Sequence, residues 1–314
     1  MNILITGSLA FDRIMNFPGK FEENILPESI HRLNVSFTVG SMNENFGGTA
    51  GNIAYALSLL GSPPKIIASA GRDFGTYSNW LIKHNIPIDN IKIIDDETTA
   101  CAYITTDSVS NQITVFNLGA MKYSAQFNLE GLISKDTVAI IAPGNLDDML
   151  HYSRAYKQNG VDYIFDPGQT LPILSSEQLI EMITGSRIFI SNDYELELTL
   201  DKTSLTLMQM TKKTGIIITT KAEHGCAVIQ KEGKTINVPS VKVKAVVEPT
   251  GAGDAFRAGL IKGLIIDKNN IEHAAKLGAT SAAYCVETSG TQHYTFSLNE
   301  YKARFKEAFG VIPF

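Results

Sequence analysis

The stretch EPTGAGDAFRAG, Glu248–Gly259, is the most informative part of this 314-residue chain. Two β-branched residues, Val246 and Val247, lead into a turn of small residues, and an amphipathic run with Phe256, Leu260 and Leu264 follows. Glycines at 251 and 253 let the backbone turn tightly, so several N–H groups point outward where a helix begins. That is an anion site made of peptide dipoles. An aspartate at its edge, Asp254, does nothing for simple phosphate holding. It does suit phosphoryl transfer to a hydroxyl, where one group takes the proton while amides stabilise the charge on the moving phosphoryl. Alone, the same pattern also describes a capped helix whose aspartate only hydrogen-bonds.

Outward from this turn, strand-like runs at Asn2–Thr6, Lys65–Ala70, Thr137–Ile141, Tyr163–Asp166, Arg187–Ser191, Ile216–Thr220 and Cys226–Ile229 alternate with helical patterns. Among the latter are Asn52–Leu60, Ser78–His84 and the alanine-rich Ile271–Tyr284. Such alternation predicts a mostly parallel sheet covered on both faces, with ligands at the carboxyl ends of its strands. Ile30–Val39 and Thr99–Asn117 break the rhythm. Both are β-rich, and the second reads as a hairpin turning at Asp107–Asn111. They are expected to form a small β-lid, spanning roughly residues 13–46 and 98–118; extra edge strands of the main sheet are the alternative.

Composition excludes several classes. Hydrophobic residues make up 44% and charged residues 19%, as in a globular protein. A net charge of −5 without basic runs argues against a nucleic-acid surface. No stretch approaches membrane-spanning length. The three cysteines, Cys101, Cys226 and Cys285, are far apart and lack metal or disulfide spacing, so a reduced, cytoplasmic setting is expected. The first strand is not followed by G-x-G-x-x-G, and the GKT at Gly233–Thr235 lacks the earlier glycine of a P-loop. No H-x-x-x-H pair or G-x-S-x-G elbow occurs.

A second glycine-rich turn, FGGTAGNIAYALSLLG at Phe46–Gly61, also opens a helix. Gly47, Gly48 and Gly51 allow close backbone approach, and Asn52 offers both donor and acceptor near the helix start. Asp12 follows the first strand, where a carboxylate can accept from two vicinal hydroxyls. Asn192 and Glu195 of SNDYE lie one helical turn apart, and TTKAEHG at Thr219–Gly225 joins two short strands. Together and in this order, these elements resemble the ribokinase (PfkB-type) family of sugar and nucleoside kinases over almost the whole chain.

The resemblance implies a ribokinase-like three-layer α/β sandwich with a β-sheet lid, and ATP-dependent phosphorylation of a primary hydroxyl with Mg²⁺. It implies Asp254 as catalytic base, and Gly251, Ala252 and Gly253 as anion hole. Asp12, Gly48, Thr49 and Asn52 fall at substrate-binding positions. Asn192, Thr220 and Gly225 fall at the nucleotide, and Glu195 at the Mg²⁺ element. Potassium activation is left open. Three departures stand out: Glu248-Pro249-Thr250 replaces the usual Asp-Thr, Ala10 replaces a sugar-binding asparagine, and Ala222 replaces a common glycine.

FPGKFEENILPESIHRLNVSF (Phe17–Phe37), NQITVFNLGAM (Asn111–Met121), FDPGQ (Phe165–Gln169) and SGTQ (Ser289–Gln292) are similar to segments of the bacterial adenosine kinase branch. An apolar lid with Leu33, Phe37 and Phe116 would suit a purine better than a free sugar. The expected activity is therefore phosphorylation of the adenosine 5′-hydroxyl. Kinases of another nucleoside, sugar or sugar phosphate, or a non-catalytic binding protein on this scaffold, are the alternatives. A monomer and a lid-mediated homodimer both fit.

Overall fold

A computed structural model describes residues 2–25, 31–32, 34–109 and 111–314. Its main sheet consists of β1 (Ile3–Thr6), β4 (Lys65–Gly71), β5 (Ile91–Ile94), β8 (Val138–Ile141), β9 (Asp162–Phe165), β10 (Ile188–Asn192), β11 (Ile216–Thr220), β12 (Cys226–Gln230) and β13 (Thr235–Val238). A smaller sheet holds β2 (Ala10–Asn16), β3 (Ser41–Gly47), β6 (Ala100–Thr106) and β7 (Gln112–Asn117). The helices are α1 (Thr49–Leu59), α2 (Gly75–Lys83), α3 (Leu146–Gln158), α4 (Ser176–Ile183), α5 (Asp193–Thr203), α6 (Leu207–Thr214), α7 (Ala252–Ile266), α8 (Ile271–Val286) and α9 (Leu298–Phe309).

The main sheet has the order β13-β12-β11-β10-β9-β8-β1-β4-β5, parallel except where β12 pairs antiparallel with β11 and β13. Its strands are apolar on both faces because both faces are covered. Ile3, Ile5, Ile140, Ile164, Ile188, Ile190 and Ile218 point into a core shared with α1, α2, α7, α8 and α9. The alternate residues Leu4, Ile141, Phe165, Phe189 and Ile217 point into a second core with α3, α4 and α6. A two-residue side-chain period produces this division. The result is a ribokinase-like α/β fold.

Chain order reverses at β1, which lies between β4 and β8. At such a switch point the crossover helices leave to opposite sides, and a crevice opens beyond the strand ends. The residues after β1 lead from that crevice directly into β2 of the small sheet.

The small sheet runs β3-β2-β6-β7, with β2 and β6 parallel and the outer pairs antiparallel. The β6–β7 turn lies where expected. Asp107 caps it, its carboxylate accepting from the Val109 and Asn111 amides and the Asn111 side chain. The strand expected at Ile30–Val39 does not form there. Ile30 and Leu33 lie outside the described residues, residues 34–39 have no regular structure, and the strand begins at Ser41. Phe37 instead packs against Phe17 and Phe21, with ring centroids 4.9 and 5.1 Å away. Among the described residues, no helix is long and apolar enough to cross a membrane.

The helix that carries Asp254 is seated by close packing. A Cβ on Gly259 would lie 2.3 Å from the Leu277 carbonyl oxygen, and one on Gly263 would lie 2.3 Å from the Ala274 Cα. Glycines thus let α7 approach α8 nearly backbone to backbone. Gly259→Val should cost about 1–3 kcal/mol through overpacking, read as a lower urea midpoint. An unchanged midpoint would show that α7 has room to shift.

Candidate active site

Two helices begin at the crevice, each after a glycine in a left-handed or related conformation. Gly48 has φ 83°, and a Cβ there would strike the Ser8 carbonyl oxygen at 2.6 Å. Gly251 has φ 80°, and a Cβ there would meet the Thr291 side chain at 2.9 Å. These turns bring Asn52 of α1 against Asp254 of α7, where Asn52 Nδ2 donates to Asp254 Oδ2 at 2.8 Å. Asp12, near the start of β2, completes the group. Its carboxylate lies over Gly47, where a Cβ would sit 2.5 Å from Oδ2.

Both aspartates hold protons more tightly than usual. The Asp254 carboxyl is raised to about 6, chiefly by burial and further by Asp166 and Asp12, while Arg257 and the Asn52 hydrogen bond oppose the rise. Asp12 is also raised to about 6, by burial and then by Glu248. A carboxylate in a crevice whose pKa is raised toward neutrality suits a general base.

At the α7 start, the Ala252 amide donates to the Pro249 carbonyl at 3.1 Å. The Ala252 N–H, expected at an anion hole, thus has a partner within the turn. The N–H groups of Gly253 and Asp254 are those the first turn offers an anion. Gly253 is required for another reason as well, because Arg257 Nη1 occupies the space 2.6 Å from where its Cβ would lie. Arg257 is buried and ion-paired with buried Asp166, which directly follows β9. It is thus a salt-bridge residue and does not lie on the surface.

The candidate nucleotide residues meet at the ends of neighbouring strands. Asn192 closes β10 and is register partner of Thr220, the last residue of β11. Asn192 and Glu195 cap α5 reciprocally: Asn192 Oδ1 accepts from the Glu195 amide at 2.7 Å, and Glu195 Oε2 accepts from the Asn192 amide at 2.9 Å. Gly225, at φ 79°, packs its backbone against Val238–Ser240. Glu195 is raised mainly by burial, with Asp166 and Arg257 close enough to contribute. Among the described residues, no group of three or more His, Cys, Asp or Glu side chains is arranged to hold a metal. A Mg²⁺ ion usually takes one or two carboxylates plus substrate phosphates. Glu195 fits such an ion, with one oxygen fixed in the cap and the buried Asp166 within electrostatic reach.

Thr49 departs from expectation. It is buried, donates to the Pro143 carbonyl at 2.8 Å and accepts from the Ser8 amide at 3.3 Å. It ties the loop after β1 to α1. Phe116 lies in one register row with Ala102, Asp12 and Asn45 across the small sheet. Register partners share a face, so its ring, 45% exposed, lies on the Asp12 side. Phe37 does not join it, being held in the cluster with Phe17 and Phe21.

The SGTQ segment, for which no local pattern signals a role, straps the two glycine turns together. Glu248 Oε2 accepts from Ser289 Oγ at 3.0 Å and the Gly290 amide at 2.9 Å. Thr291 Oγ1 donates to the Phe46 carbonyl at 3.0 Å, and Gln292 Nε2 donates to Asn52 Oδ1 at 3.0 Å. A surface depression of about 950 Å³ between residues 124–133 and α3 contains none of these groups.

The pfkB family carbohydrate kinase pattern matches residues 6–296. The chain belongs to the pfkB family of carbohydrate kinases. It is therefore a phosphotransferase with an alcohol group as acceptor. It is 31% identical over 293 residues to the nucleoside kinase of Methanocaldococcus jannaschii, covering 92% of each chain. The structure of Burkholderia thailandensis nucleoside kinase in complex with inosine superposes with a TM-score of 0.85 at 36% identity, covering 99% of both chains. The same Burkholderia enzyme in complex with ADP-inosine gives 0.83 at 37% identity, covering 99% of this chain and 97% of that one.

The raised Asp12 carboxyl has a consequence for stability. A group whose pKa rises from 3.8 to about 6 on folding favours the fold fully below 3.8. That contribution is lost as pH rises through about 6. Asp12→Asn should therefore raise the melting temperature at pH 7.5, with the gain shrinking as pH falls toward 4. A lower melting temperature at pH 7.5 would contradict this account of the site.

Proposed function

We propose that the chain is a nucleoside kinase that transfers the γ-phosphate of ATP to the 5′-hydroxyl of adenosine, giving AMP and ADP. The observation that carries this reading is the meeting of Asp254 with Asn52, beside Asp12, at the start of a helix whose free N–H groups suit a phosphate. The relatives support a nucleoside as acceptor, since two named nucleoside kinases match nearly the whole chain. Inosine in the Burkholderia complex favours a second reading, in which another purine nucleoside is the preferred acceptor.

In this mechanism Asp12 accepts hydrogen bonds from the ribose hydroxyls beside the Gly47–Gly48 turn. Asn52 keeps one amide hydrogen on Asp254 and turns the other toward the sugar. The base lies against the face of the small sheet that bears Phe116. The small sheet acts as a lid whose closure excludes water and fixes the hydroxyl near the phosphate. ATP lies across the ends of β10 and β11, beside Asn192, Thr220 and the Gly225 turn. Asp254 takes the proton of the 5′-hydroxyl as oxygen bonds to phosphorus, while the Gly253 and Asp254 amides stabilise charge on the phosphoryl. Mg²⁺ when bound neutralises the triphosphate, and Glu195 is the residue that would hold it.

Three measurements test the reading. ADP release with adenosine, inosine, guanosine, pyrimidine nucleosides and ribose should be fastest with adenosine, and ribose as best acceptor would contradict it. Asp254→Asn should lower kcat by about 10²–10⁴-fold with KM nearly unchanged. In the wild type, kcat/KM should fall as pH drops through about 6, because a protonated Asp254 accepts nothing. Wild-type turnover in Asp254→Asn would remove the residue from the chemistry.

A further inference from the structure

Gln292 is 1% exposed and hydrogen-bonded through both polar atoms of its amide. Its Oε1 accepts from Trp80 Nε1 at 3.0 Å, and its Nε2 donates to Tyr77 Oη at 2.7 Å and Asn52 Oδ1 at 3.0 Å. An amide's oxygen and nitrogen are ordinarily assigned only from their surroundings. Here the surroundings allow one assignment. An indole nitrogen can only donate. The Tyr77 hydroxyl gives its single hydrogen to the Gly47 carbonyl at 2.8 Å, so it offers Gln292 only lone pairs. Gln292 must therefore direct oxygen to Trp80 and nitrogen to Tyr77 and Asn52. Asn52 must in turn direct oxygen to Gln292, which leaves its N–H groups for Asp254.

We propose that Trp80, Tyr77 and Gln292 are positioning residues that force Asn52 to present N–H, never C=O, to the Asp254 carboxylate. This inference rests on Asp254 being the base of the proposed reaction. None of the three need touch substrate. They act by fixing which end of one amide faces the reacting acid. Trp80 also packs against Phe46 and Tyr55, with centroids 5.6 and 5.9 Å away, so the donor at the head of the chain is held in place.

The groups facing Asp254 are Arg257 on its own helix, Asp12 on β2, Asp166 after β9, Cys285 on α8, Tyr77 on α2, and Tyr294. Arg257 and Asn52 favour the ionised acid, whereas burial, Asp166 and Asp12 oppose it. Of these influences, only Asn52 can change sign by rotating about one bond. An amide turned over would place its oxygen against the carboxylate and discourage ionisation.

Gln292→Glu reverses the donor that faces Asn52, and its carboxyl when ionised also adds a charge. The variant keeps the shape and the acceptor for Trp80, but sets an oxygen where Nε2 faced Asn52. Asn52 then turns its nitrogen toward position 292. The acid limb of kcat/KM should move up by roughly one pH unit, with KM for ATP unchanged, and it must also move up in neutral Gln292→Met, which frees Asn52 without adding charge. An acid limb coinciding with that of wild type would overturn the proposal. A second measurement needs neither this variant nor turnover. Trp80 is the sole tryptophan, so its indole N–H gives one resonance in a ¹H–¹⁵N spectrum. Measured in His84→Phe, which removes the ionisable ring whose centroid lies 4.2 Å from that of the indole, that resonance should titrate near pH 6, stop titrating when Asp254→Asn is added and still titrate when Asp12→Asn is added. Titration that survives the addition of Asp254→Asn, or none in His84→Phe alone, would break the chain. A wild type that phosphorylates no acceptor would instead refute the kinase reading, leaving the indole result to judge the hydrogen-bond chain separately.

Discussion

The hydrogen bond between Asn52 and Asp254 joins residues 202 positions apart, and the rest of the structure is arranged so that it can form. The topological reversal at β1 opens the crevice. Two glycines with positive φ aim two helix starts into it. Packing of Gly259 and Gly263 against α8 fixes the height of α7, and the Ser289–Gln292 strap holds both turns together. Apart from the Glu248 carboxylate that anchors the strap, these devices act on the backbone or on neutral polar groups.

The acids of the site oppose the fold that contains them. Asp12 and Asp254 are both disfavoured as anions by their surroundings. Arg257 offsets part of that, but it is buried and already paired with Asp166. A buried pair of this kind adds little net stability, and its value lies in specifying an arrangement. Here it pins the first turn of α7 to the end of β9 and sets a positive charge behind the anion-binding amides. The site thus combines carboxylates that hold protons more strongly than usual with a fixed cation, a combination suited to moving a proton and a phosphoryl group.

Much of the scaffold was legible from local patterns. All seven strands expected for the main sheet occur within a residue or two, because buried parallel strands are dense in β-branched residues. The expected starts of α1, α2 and α8 fall within three residues of those observed. The hairpin at Asp107–Asn111 was legible because Asp and Asn satisfy a turn through their own side chains. The strand at Ser41–Gly47 was not. It is polar and exposed along most of its length, and pairing with β2, not its own composition, makes it a strand.

The site was legible only in part. Glycine spacing revealed the two turns and Asp254, since only a tight turn needs those residues. Whether a side chain faces the crevice was hidden, so Thr49 was expected at substrate but is tied to Ser8 and Pro143. Partners distant in sequence were hidden too. Arg257 gave no sign of Asp166, and Gln292 gave none of Trp80 or Asn52, because the fold alone brings them together. The central claim is that the Asp254 carboxylate reaches an acceptor alcohol beside amides that hold the phosphate. A crystal structure with adenosine and an unreactive ATP analogue tests it most directly. The account predicts the 5′-oxygen within about 2.6–3.2 Å of Asp254 and the γ-phosphate on the Gly253 and Asp254 amides. A nucleoside whose hydroxyl points away from Asp254, with the phosphates elsewhere, would contradict it.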